Sequence, residues 1–231
     1  MLNEILGFLL LLACFSGVTL AYRFFGKAGL FAWMAMAIII ANIQVTKIIE
    51  VFGLVTAMGN VIYGSTFLVT DILTEKHGVK EAKKAVLIGF FAMVFATIIM
   101  QITLLFKPHE SDFVSGAMAV VFQFMPSAMV ASLTAYIISQ LHDVWAFEMW
   151  RHRTKGKFLW LRNNASTMVS QFIDNVTFTL LFFVVFNPEF LATLGWKGIF
   201  DIFITSYAMK FVIALLDTPF MYLNASFKIT E

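Results

Sequence analysis

The sequence predicts an all-α polytopic membrane protein, and two observations carry that prediction: the composition and the length of the apolar stretches. Of the 231 residues, 60% are hydrophobic and only 13% are charged, whereas soluble domains average about 45–50% apolar and about 25% charged residues. Seven stretches are long enough for a membrane-spanning helix, which needs about 20 mostly apolar residues. This composition excludes a soluble or disordered chain, and the net charge of +2 gives no support for nucleic-acid binding.

The predicted spans form one transmembrane domain over residues 1–231. The residues before the first span, Met1 to Glu4, lack the basic leader of a signal peptide and no small-x-small cleavage site follows the span, so we interpret it as a retained helix. The third is interrupted by polar residues and is expected to turn that side toward protein or a water-filled cavity. Pro126 is expected to kink the fifth, whose pattern also fits a continuation to Trp150. The spans cover approximately residues 4–22, 30–50, 57–74, 82–106, 114–140, 163–186 and 198–223.

The basic residues predict the orientation of these helices. Twelve of the 16 lie in the first, third and fifth loops and the C-terminus, whereas only Lys107 and Lys197 lie in the loops of the other side. Loops rich in Lys and Arg face the cytoplasm. We therefore expect the N-terminus outside and the C-terminus in the cytoplasm. Cationic loops of this kind also meet anionic lipid.

The sixth span carries the strongest candidate site. Its polar and aromatic residues recur at three- and four-residue spacing, so they share one helix face. Asp174 lies near the middle of this span, where a charged group is costly and is therefore a functional candidate. Interhelical hydrogen bonding is the alternative explanation. The predicted binding residues of this stripe are Asn164, Gln171, Asp174, Asn175 and Phe178.

Other spans add candidate substrate-binding residues. Asn42 and Glu50 lie toward the outer end of the second predicted span, where Glu50 can pair with Lys47 at three-residue spacing. Tyr63 and Asp71 lie in the third predicted span. Snorkelling of the charged groups to the interface is the structural alternative.

Lys210 in the seventh span is a buried cation that needs a carboxylate partner. Asp71, Asp143 and Asp174 are the candidates, and the sequence alone does not choose among them. A structural ion pair and a role in binding are equally consistent with this pattern.

The sequence carries no motif for catalysis, a metal or a cofactor: it lacks a Walker loop, GxGxxG, CxxC and HExxH. We therefore predict a non-enzyme with no cofactor, no metal and no catalytic residues. An intramembrane enzyme and a purely structural membrane protein are the weaker alternatives. A carboxylate with amides and aromatic rings suits a small flat heterocycle, such as a purine-like base, as well as other small polar solutes.

Three separated motifs then resemble the queuosine precursor transporter family, also called the vitamin uptake transporter family. The run from Phe67 to Gly78 is similar to its F-x-x-T-D-x-x-x-E-x-x-G segment. Residues 141–147 resemble the second signature, which ends a helix with Asp before a basic loop, and residues 164–178 resemble the third. Lys210 and residues 219–222 match the last helix. The resemblance covers about residues 30–224.

The resemblance implies import of the deazaguanine bases preQ0 and preQ1 across the bacterial inner membrane. It also implies a six-helix core similar to the substrate-binding subunits of energy-coupling-factor transporters, with an additional N-terminal helix. Import of another vitamin-like or nucleobase-like solute, or partnership with a separate ATPase module, is the alternative. No nucleic acid is expected as a partner. The positions that the resemblance marks as important are Asp71, Glu75, Asp143, Gln171, Asp174 and Lys210.

Overall fold

The computed structural model describes residues 2–44, 47–52, 54–122, 125–186 and 188–227. Helices dominate this part of the chain, as the sequence predicts, and a short two-stranded hairpin is the exception. The elements are α1 Leu2–Gln44, β1 Ile48–Val51, β2 Leu54–Ala57, α2 Asn60–His77, α3 Val79–Leu104, α4 Ser115–Phe122, α5 Met125–Arg153, α6 Leu159–Thr179 with its π-helical continuation Leu180–Phe186, α7 Pro188–Leu216 and α8 Thr218–Ser226.

The first helix, α1, is broken at Gly26, which has φ 55° and ψ −141°. Glycine tolerates this left-handed backbone because it has no Cβ. The two halves fold back on each other, so that Gly17 of the first half lies directly against the indole of Trp33 in the second. The break therefore separates the first two predicted spans.

The hairpin corrects the predicted ends of the second and third spans. Helix α1 ends at Gln44, and residues 48–51 pair in antiparallel fashion with residues 54–57. Both strands are rich in β-branched residues, which favour a pleated backbone, whereas a hydropathy window does not distinguish an apolar strand from an apolar helix. The backbone N–H of Phe52 donates to Glu4 Oε1 at 3.1 Å, which ties the hairpin to the start of α1.

Helix α2 is the centre of the bundle and packs against α1, α3, α5, α7 and α8. Every side chain from Phe67 to Leu73 is fully buried. The Trp33 indole of α1 donates to Ser65 Oγ at 2.9 Å. A helix surrounded by other helices need not be apolar on its outer side, which explains why the third predicted span is the most polar.

Five helical stretches of the described residues are long and apolar enough to cross a membrane, so the chain is a multi-pass membrane protein. Helix α2 does not meet this hydropathy requirement, and α1 contains two of the predicted spans. The count of seven therefore stays a prediction. The five stretches are Leu2–Gln44, Val79–Leu104, Ser115–Arg153, Leu159–Phe186 and Gly195–Ser226.

The fifth predicted span is helical on both sides of residues 123 and 124, which lie outside the described part of the chain. Pro126 comes two residues after this gap, so the expected kink at Pro126 stays a prediction. Helix α5 runs on to Arg153, as the amphipathic pattern indicates. Helix α7 is broken at Gly195, with φ 64°.

The basic segments come together at one end of the bundle. Lys27 lies 3.8 Å from Glu81, and Arg162 lies 3.1 Å from Glu75. The Arg23 guanidinium of α1 lies 5.2 Å from the centre of the ring of Phe227, which is near the C-terminus. We call this the basic end. The opposite end, which carries the start of α1 and the strands β1 and β2, is called the hairpin end. The side of the membrane that each end faces stays a prediction.

Candidate functional site

A buried ion pair joins α6 and α7 in the middle of the bundle. Lys210 Nζ lies 2.5 Å from Asp174 Oδ2. The two residues are 7% and 4% exposed. Asp174 lies near the midpoint of the stretch from Leu159 to Phe186. Two opposite charges held this far from water stabilise each other only in close contact. Of the three carboxylates that the sequence left open for Lys210, the structure selects Asp174.

Two hydroxyl groups from other helices complete the coordination of this carboxylate. The Tyr63 hydroxyl of α2 donates to Asp174 Oδ1 at 2.5 Å, and Ser139 Oγ of α5 donates to the same oxygen at 3.3 Å. Lys210 Nζ also lies 5.4 Å from the centre of the Tyr63 ring. Four helices therefore converge on Asp174, and the site is fixed by tertiary packing.

A small cavity of about 100 Å³ lies beside the ion pair, toward the hairpin end. Its walls combine one carboxylate, one ammonium, amides, hydroxyls and two aromatic rings, which is the mixture that orients small polar ligands. We call it the central cavity. Its lining residues are Ala41, Asn42, Met58, Gly59, Asn60, Tyr63, Ser132, Asp174, Asn175, Phe178, Ser206 and Lys210.

Local sequence explains how these side chains reach one cavity. Asp174 and Phe178 are four residues apart on α6, and so are Ser206 and Lys210 on α7; residues at this spacing share a helix face. Gly59 turns the chain from the hairpin into α2 with φ 98°. A Cβ at this position would lie 2.7 Å from the carbonyl oxygen of Ala41, so only glycine lets the turn approach α1 this closely.

Six of the ten predicted binding residues line the central cavity. Asn42 and Asn175 both contribute, and their amide nitrogens donate to the backbone carbonyls of Ile38 at 2.9 Å and Phe203 at 2.7 Å. Phe178 stacks on Phe182, with ring centres 5.4 Å apart. The six are Asn42, Tyr63, Asp174, Asn175, Phe178 and Lys210.

The other four predicted residues are not brought to the cavity by the described structure. Asn164 donates to Trp160 O and to Thr218 Oγ1, both at 2.8 Å, and so joins α6 to α8 near the basic end. Gln171 is buried but is not among the lining residues. Glu50 lies in β1 and not in a helix, so its expected helical pairing with Lys47 is wrong, and its side chain lies outside the described residues.

Asp71 belongs to a separate buried cluster nearer the basic end. Its side chain is fully buried and lies within hydrogen-bonding range of the equally buried Asp143 of α5. Thr167 Oγ1 of α6 donates to Asp71 Oδ2 at 3.3 Å. Thr70 Oγ1 lies 3.5 Å from Asp143 Oδ2. We call Asp71 and Asp143 the carboxyl pair.

Sequence reasoning missed several residues of the cavity wall and of the ion-pair environment. Ser132 lines the cavity and Ser139 bonds Asp174; they are seven residues apart on α5, so helical periodicity could have grouped them with Asp143. Ser206 was detectable in the same way from its spacing to Lys210. Asn60 was recognisable as a polar residue of the third predicted span but was not predicted to bind substrate. Met58 gave no signal, because its position depends on the hairpin turn. Among the described residues, no group of three or more His, Cys, Asp or Glu side chains is arranged to hold a metal ion.

Comparison with known proteins adds independent evidence. A family model described as a putative vitamin uptake transporter matches residues 57–224. The probable queuosine precursor transporter of Bacillus subtilis (strain 168) is 42% identical over 206 residues, which cover 89% of this chain and 87% of that protein. The queuosine precursor transporter of Escherichia coli (strain K12) is 26% identical over 186 residues, covering 79% and 78% respectively.

No solved structure gives a significant match to this chain. The similarity to the substrate-binding subunits of energy-coupling-factor transporters therefore stays a prediction.

Proposed function

We propose that this chain, which belongs to the queuosine precursor transporter family, imports the deazaguanine bases preQ0 and preQ1 across the bacterial inner membrane. Membership of the family makes the chain a membrane transporter and not an enzyme. The observation that carries the substrate proposal is a carboxylate, Asp174, beside a polar cavity near the middle of the bundle.

The chemistry of the ion pair fits the edge of a guanine-like base. Such an edge presents adjacent N–H donors beside a carbonyl acceptor. A carboxylate accepts two parallel N–H bonds, and an ammonium donates to a carbonyl. Asp174 and Lys210 are therefore complementary to this edge as a pair. In the present structure the Asp174 oxygens accept from Lys210 and Tyr63. Base binding exchanges these bonds for bonds to the ligand.

The other walls of the cavity supply orientation and stacking. The amide nitrogens of Asn42 and Asn175 bond to the backbone, which leaves their carbonyl oxygens as acceptors for the base. The ring of Tyr63 offers a face for a flat heterocycle. The small volume of the cavity favours a compact solute, and binding of a base requires the walls to separate further.

Import follows when the cavity opens alternately to the two sides. The hairpin end faces outside and the basic end faces the cytoplasm, in line with the positive-inside rule. The turn at Gly59 lies between the hairpin and the cavity, so movement of the strands β1 and β2 together with this turn controls access from the outer side. Membrane lipids surround the bundle, and a separate ATPase module is not required by this scheme.

The description of the matching family model favours a second candidate, a vitamin-like solute other than a queuosine precursor. Both candidates use the same cavity. They differ in the ligand edge that Asp174 and Lys210 contact.

The test is uptake of radiolabelled preQ0 and preQ1 by cells that neither synthesise nor otherwise import these bases. Cells expressing the wild-type chain should accumulate label, and Asp174→Asn should reduce uptake at least tenfold at equal membrane abundance. The matched control is Asp201→Asn, which changes an exposed acid of α7 and should transport like the wild type. Uptake by the wild type that is no higher than in cells without it would refute the substrate, and normal uptake by Asp174→Asn would refute the site.

A further inference from the structure

The carboxyl pair is a second buried polar site that recognition of a base does not use. Asp71 on α2 and Asp143 on α5 are both fully buried. Their carboxyl groups lie within hydrogen-bonding range of each other. Two ionised carboxylates in contact repel strongly in a water-poor interior, whereas one proton shared between them converts the repulsion into a hydrogen bond.

Each carboxyl of the pair has one oxygen near a hydroxyl group and, among the described residues, one oxygen without a well-placed hydrogen-bond donor. Asp71 Oδ2 accepts from Thr167, and Asp143 Oδ2 lies beside the Thr70 hydroxyl. The Oδ1 atom of each carboxyl is buried and has no hydrogen-bond partner of good geometry in the part of the chain that the structure describes, although the Ser166 and Ser170 hydroxyls of α6 lie near Asp143. A buried acceptor without a donor is costly. A proton is the smallest ligand that satisfies both carboxyls at once.

Two basic residues near the carboxyl pair form ion pairs with Glu75 and not with Asp71 or Asp143. On α2, Glu75 contacts Arg162 of α6 at 3.1 Å and Arg151 of α5 at 3.9 Å. The buried acid Asp217, between α7 and α8, also lies close enough to Asp71 for the two groups to interact electrostatically. His142 of α5 bonds Ser170 Oγ at 2.9 Å.

Two of the more distant cations also have partners. Lys210 of α7 is paired with Asp174, and Lys27 of α1 is paired with Glu81 of α3. Among the described residues, no ion pair joins a Lys or Arg to either carboxyl of the pair. The surroundings of the pair favour an added positive charge.

We propose that the carboxyl pair of Asp71 and Asp143 binds the proton that drives transport. The inference rests on the proposed function as an importer of queuosine precursors. One proton from the outer solution joins the doubly ionised pair and is held between the two carboxyls. It leaves to the cytoplasm after the base has been released. One proton therefore crosses with each base, and no bond of the base changes. Intramembrane carboxylates commonly form such proton sites in transporters.

Helices α5 and α6 both carry residues of the ion-pair site and of the carboxyl pair. This shared position couples base binding to proton binding. On α5, Ser139 bonds Asp174 and lies one turn before Asp143. On α6, Thr167 bonds Asp71 and lies seven residues before Asp174, or about 10 Å along the helix. A shift of either helix that accompanies base binding therefore moves both sites.

Hydrogen bonds also fill the space between the two sites. Gln140 Nε2 donates to Thr66 Oγ1 at 3.0 Å, and Gln140 Oε1 lies 3.3 Å from Thr70 Oγ1. The same Thr70 hydroxyl lies beside Asp143. This polar connection crosses from α2 to α5 and reaches the pair without passing through the lipid-facing surface.

A proton fits this site better than a sodium ion. A metal cation between the carboxyls would take several oxygen ligands and would hold the two groups apart. Here the two carboxyls lie within hydrogen-bonding range of each other, and the Gln140 amide nitrogen is already bonded to Thr66. Sodium dependence is accordingly an outcome that would overturn the proposal.

The experiment uses the full chain in proteoliposomes with labelled preQ1 and preQ0. With an inward acid gradient of one pH unit, one proton per base supports about tenfold accumulation of the base. The wild type should reach this ratio without sodium and lose it when a protonophore is added. Asp71→Asn and Asp143→Asn should still exchange internal for external base but reach a ratio of about one. Asp201→Asn is the matched control and should accumulate like the wild type.

Each contrary result has a defined meaning. Accumulation by the wild type that ignores the pH gradient, or that follows a sodium gradient, overturns the proton proposal. Tenfold accumulation of the base by Asp71→Asn or Asp143→Asn overturns the assignment of the proton site to the carboxyl pair. Loss of base exchange in either variant, when the variant is folded, overturns it too. Absence of base exchange in the wild type refutes the proposed function instead.

A measurement without substrate or substitution keeps the proton site testable on its own. Infrared difference spectra of the wild-type protein between acid and alkaline pH should show the C=O stretch of a buried carboxylic acid that shifts in deuterium oxide. If no such band appears across this pH range, the pair holds no proton and the proposal fails, whatever the substrate is.

Discussion

Lys210 and Asp174 form a buried ion pair between α7 and α6, with Nζ and Oδ2 2.5 Å apart. Tyr63 and Ser139 bond the other carboxylate oxygen. Four helices thus meet at one carboxylate. The pair consequently has two roles that mutation can separate: it stabilises the bundle, and it presents complementary charges to the central cavity.

Removal of the cation alone should destabilise the protein. Lys210→Met leaves Asp174 as an uncompensated buried charge, and we expect a loss of about 3 kcal/mol in the free energy of unfolding. The double variant Lys210→Met with Asp174→Asn removes both charges and should recover most of that loss. Denaturant unfolding in detergent measures all three proteins. The control is Lys197→Met, which changes an exposed lysine of α7.

A double variant as unstable as Lys210→Met would contradict this explanation, because the loss would then come from packing rather than from the unpaired charge. Both variants should lack uptake, since each removes a group that contacts the base. Stability and transport are therefore expected to respond differently to the second substitution.

The residues that the sequence could predict are those on a single helix face. Asp174, Asn175 and Phe178 were recognisable because helical periodicity alone brings them together. The partner of Lys210 was not predictable, since Asp71, Asp143 and Asp174 all lie on other helices and the sequence holds no direct record of how helices are aligned. The structure chooses Asp174 through the packing of α6 against α7.

The hairpin was not predictable from hydropathy. Residues 48–57 are apolar enough to extend either neighbouring helix, and only their β-branched side chains and the flanking Gly59 indicate strands and a turn. The polarity of α2, in contrast, was correctly connected with burial. A polar helix in a membrane protein has to be covered, and α2 is covered on all sides between Phe67 and Leu73.

Two asparagines of α6 should separate structural from binding roles. Asn164→Ala removes hydrogen bonds to Trp160 O and Thr218 Oγ1 and should lower stability by about 1 kcal/mol without changing affinity for the base. Asn175→Ala removes a cavity amide and should weaken base binding about tenfold. A hydrogen bond contributes a net free energy of about 1 kcal/mol, and about 1.4 kcal/mol corresponds to a tenfold change in affinity. Calorimetric titration of both purified variants with preQ1 and preQ0 measures the affinities. If Asn164→Ala bound the base more weakly than Asn175→Ala, Asn164 would have the binding role and Asn175 the structural one.

The turn before α2 should be intolerant of any side chain. Gly59→Ala adds a Cβ 2.7 Å from Ala41 O at a φ of 98°, and left-handed backbone costs non-glycine residues about 1–2 kcal/mol. We expect lower stability and lower uptake, because the turn lies between the hairpin and the cavity. Gly116→Ala in α4 is the matched control, since an added Cβ there meets nothing within 4 Å. Thermal unfolding and uptake by both variants make the comparison; equal results for the two would contradict the steric argument.

Side-specific labelling should establish the orientation that the basic residues predict. In a background of Cys14→Ser, which removes the single native and buried thiol, Phe113→Cys introduces a thiol at a position that is 92% exposed in the loop after α3. Lys157→Cys introduces one in the exposed loop between α5 and α6, at the basic end. A membrane-impermeant thiol reagent added to intact spheroplasts should label Phe113→Cys alone, and both variants should react after lysis. Labelling of Lys157→Cys in intact spheroplasts would show that the orientation is the reverse of the predicted one. An imported base would then pass the carboxyl pair before it reached the central cavity.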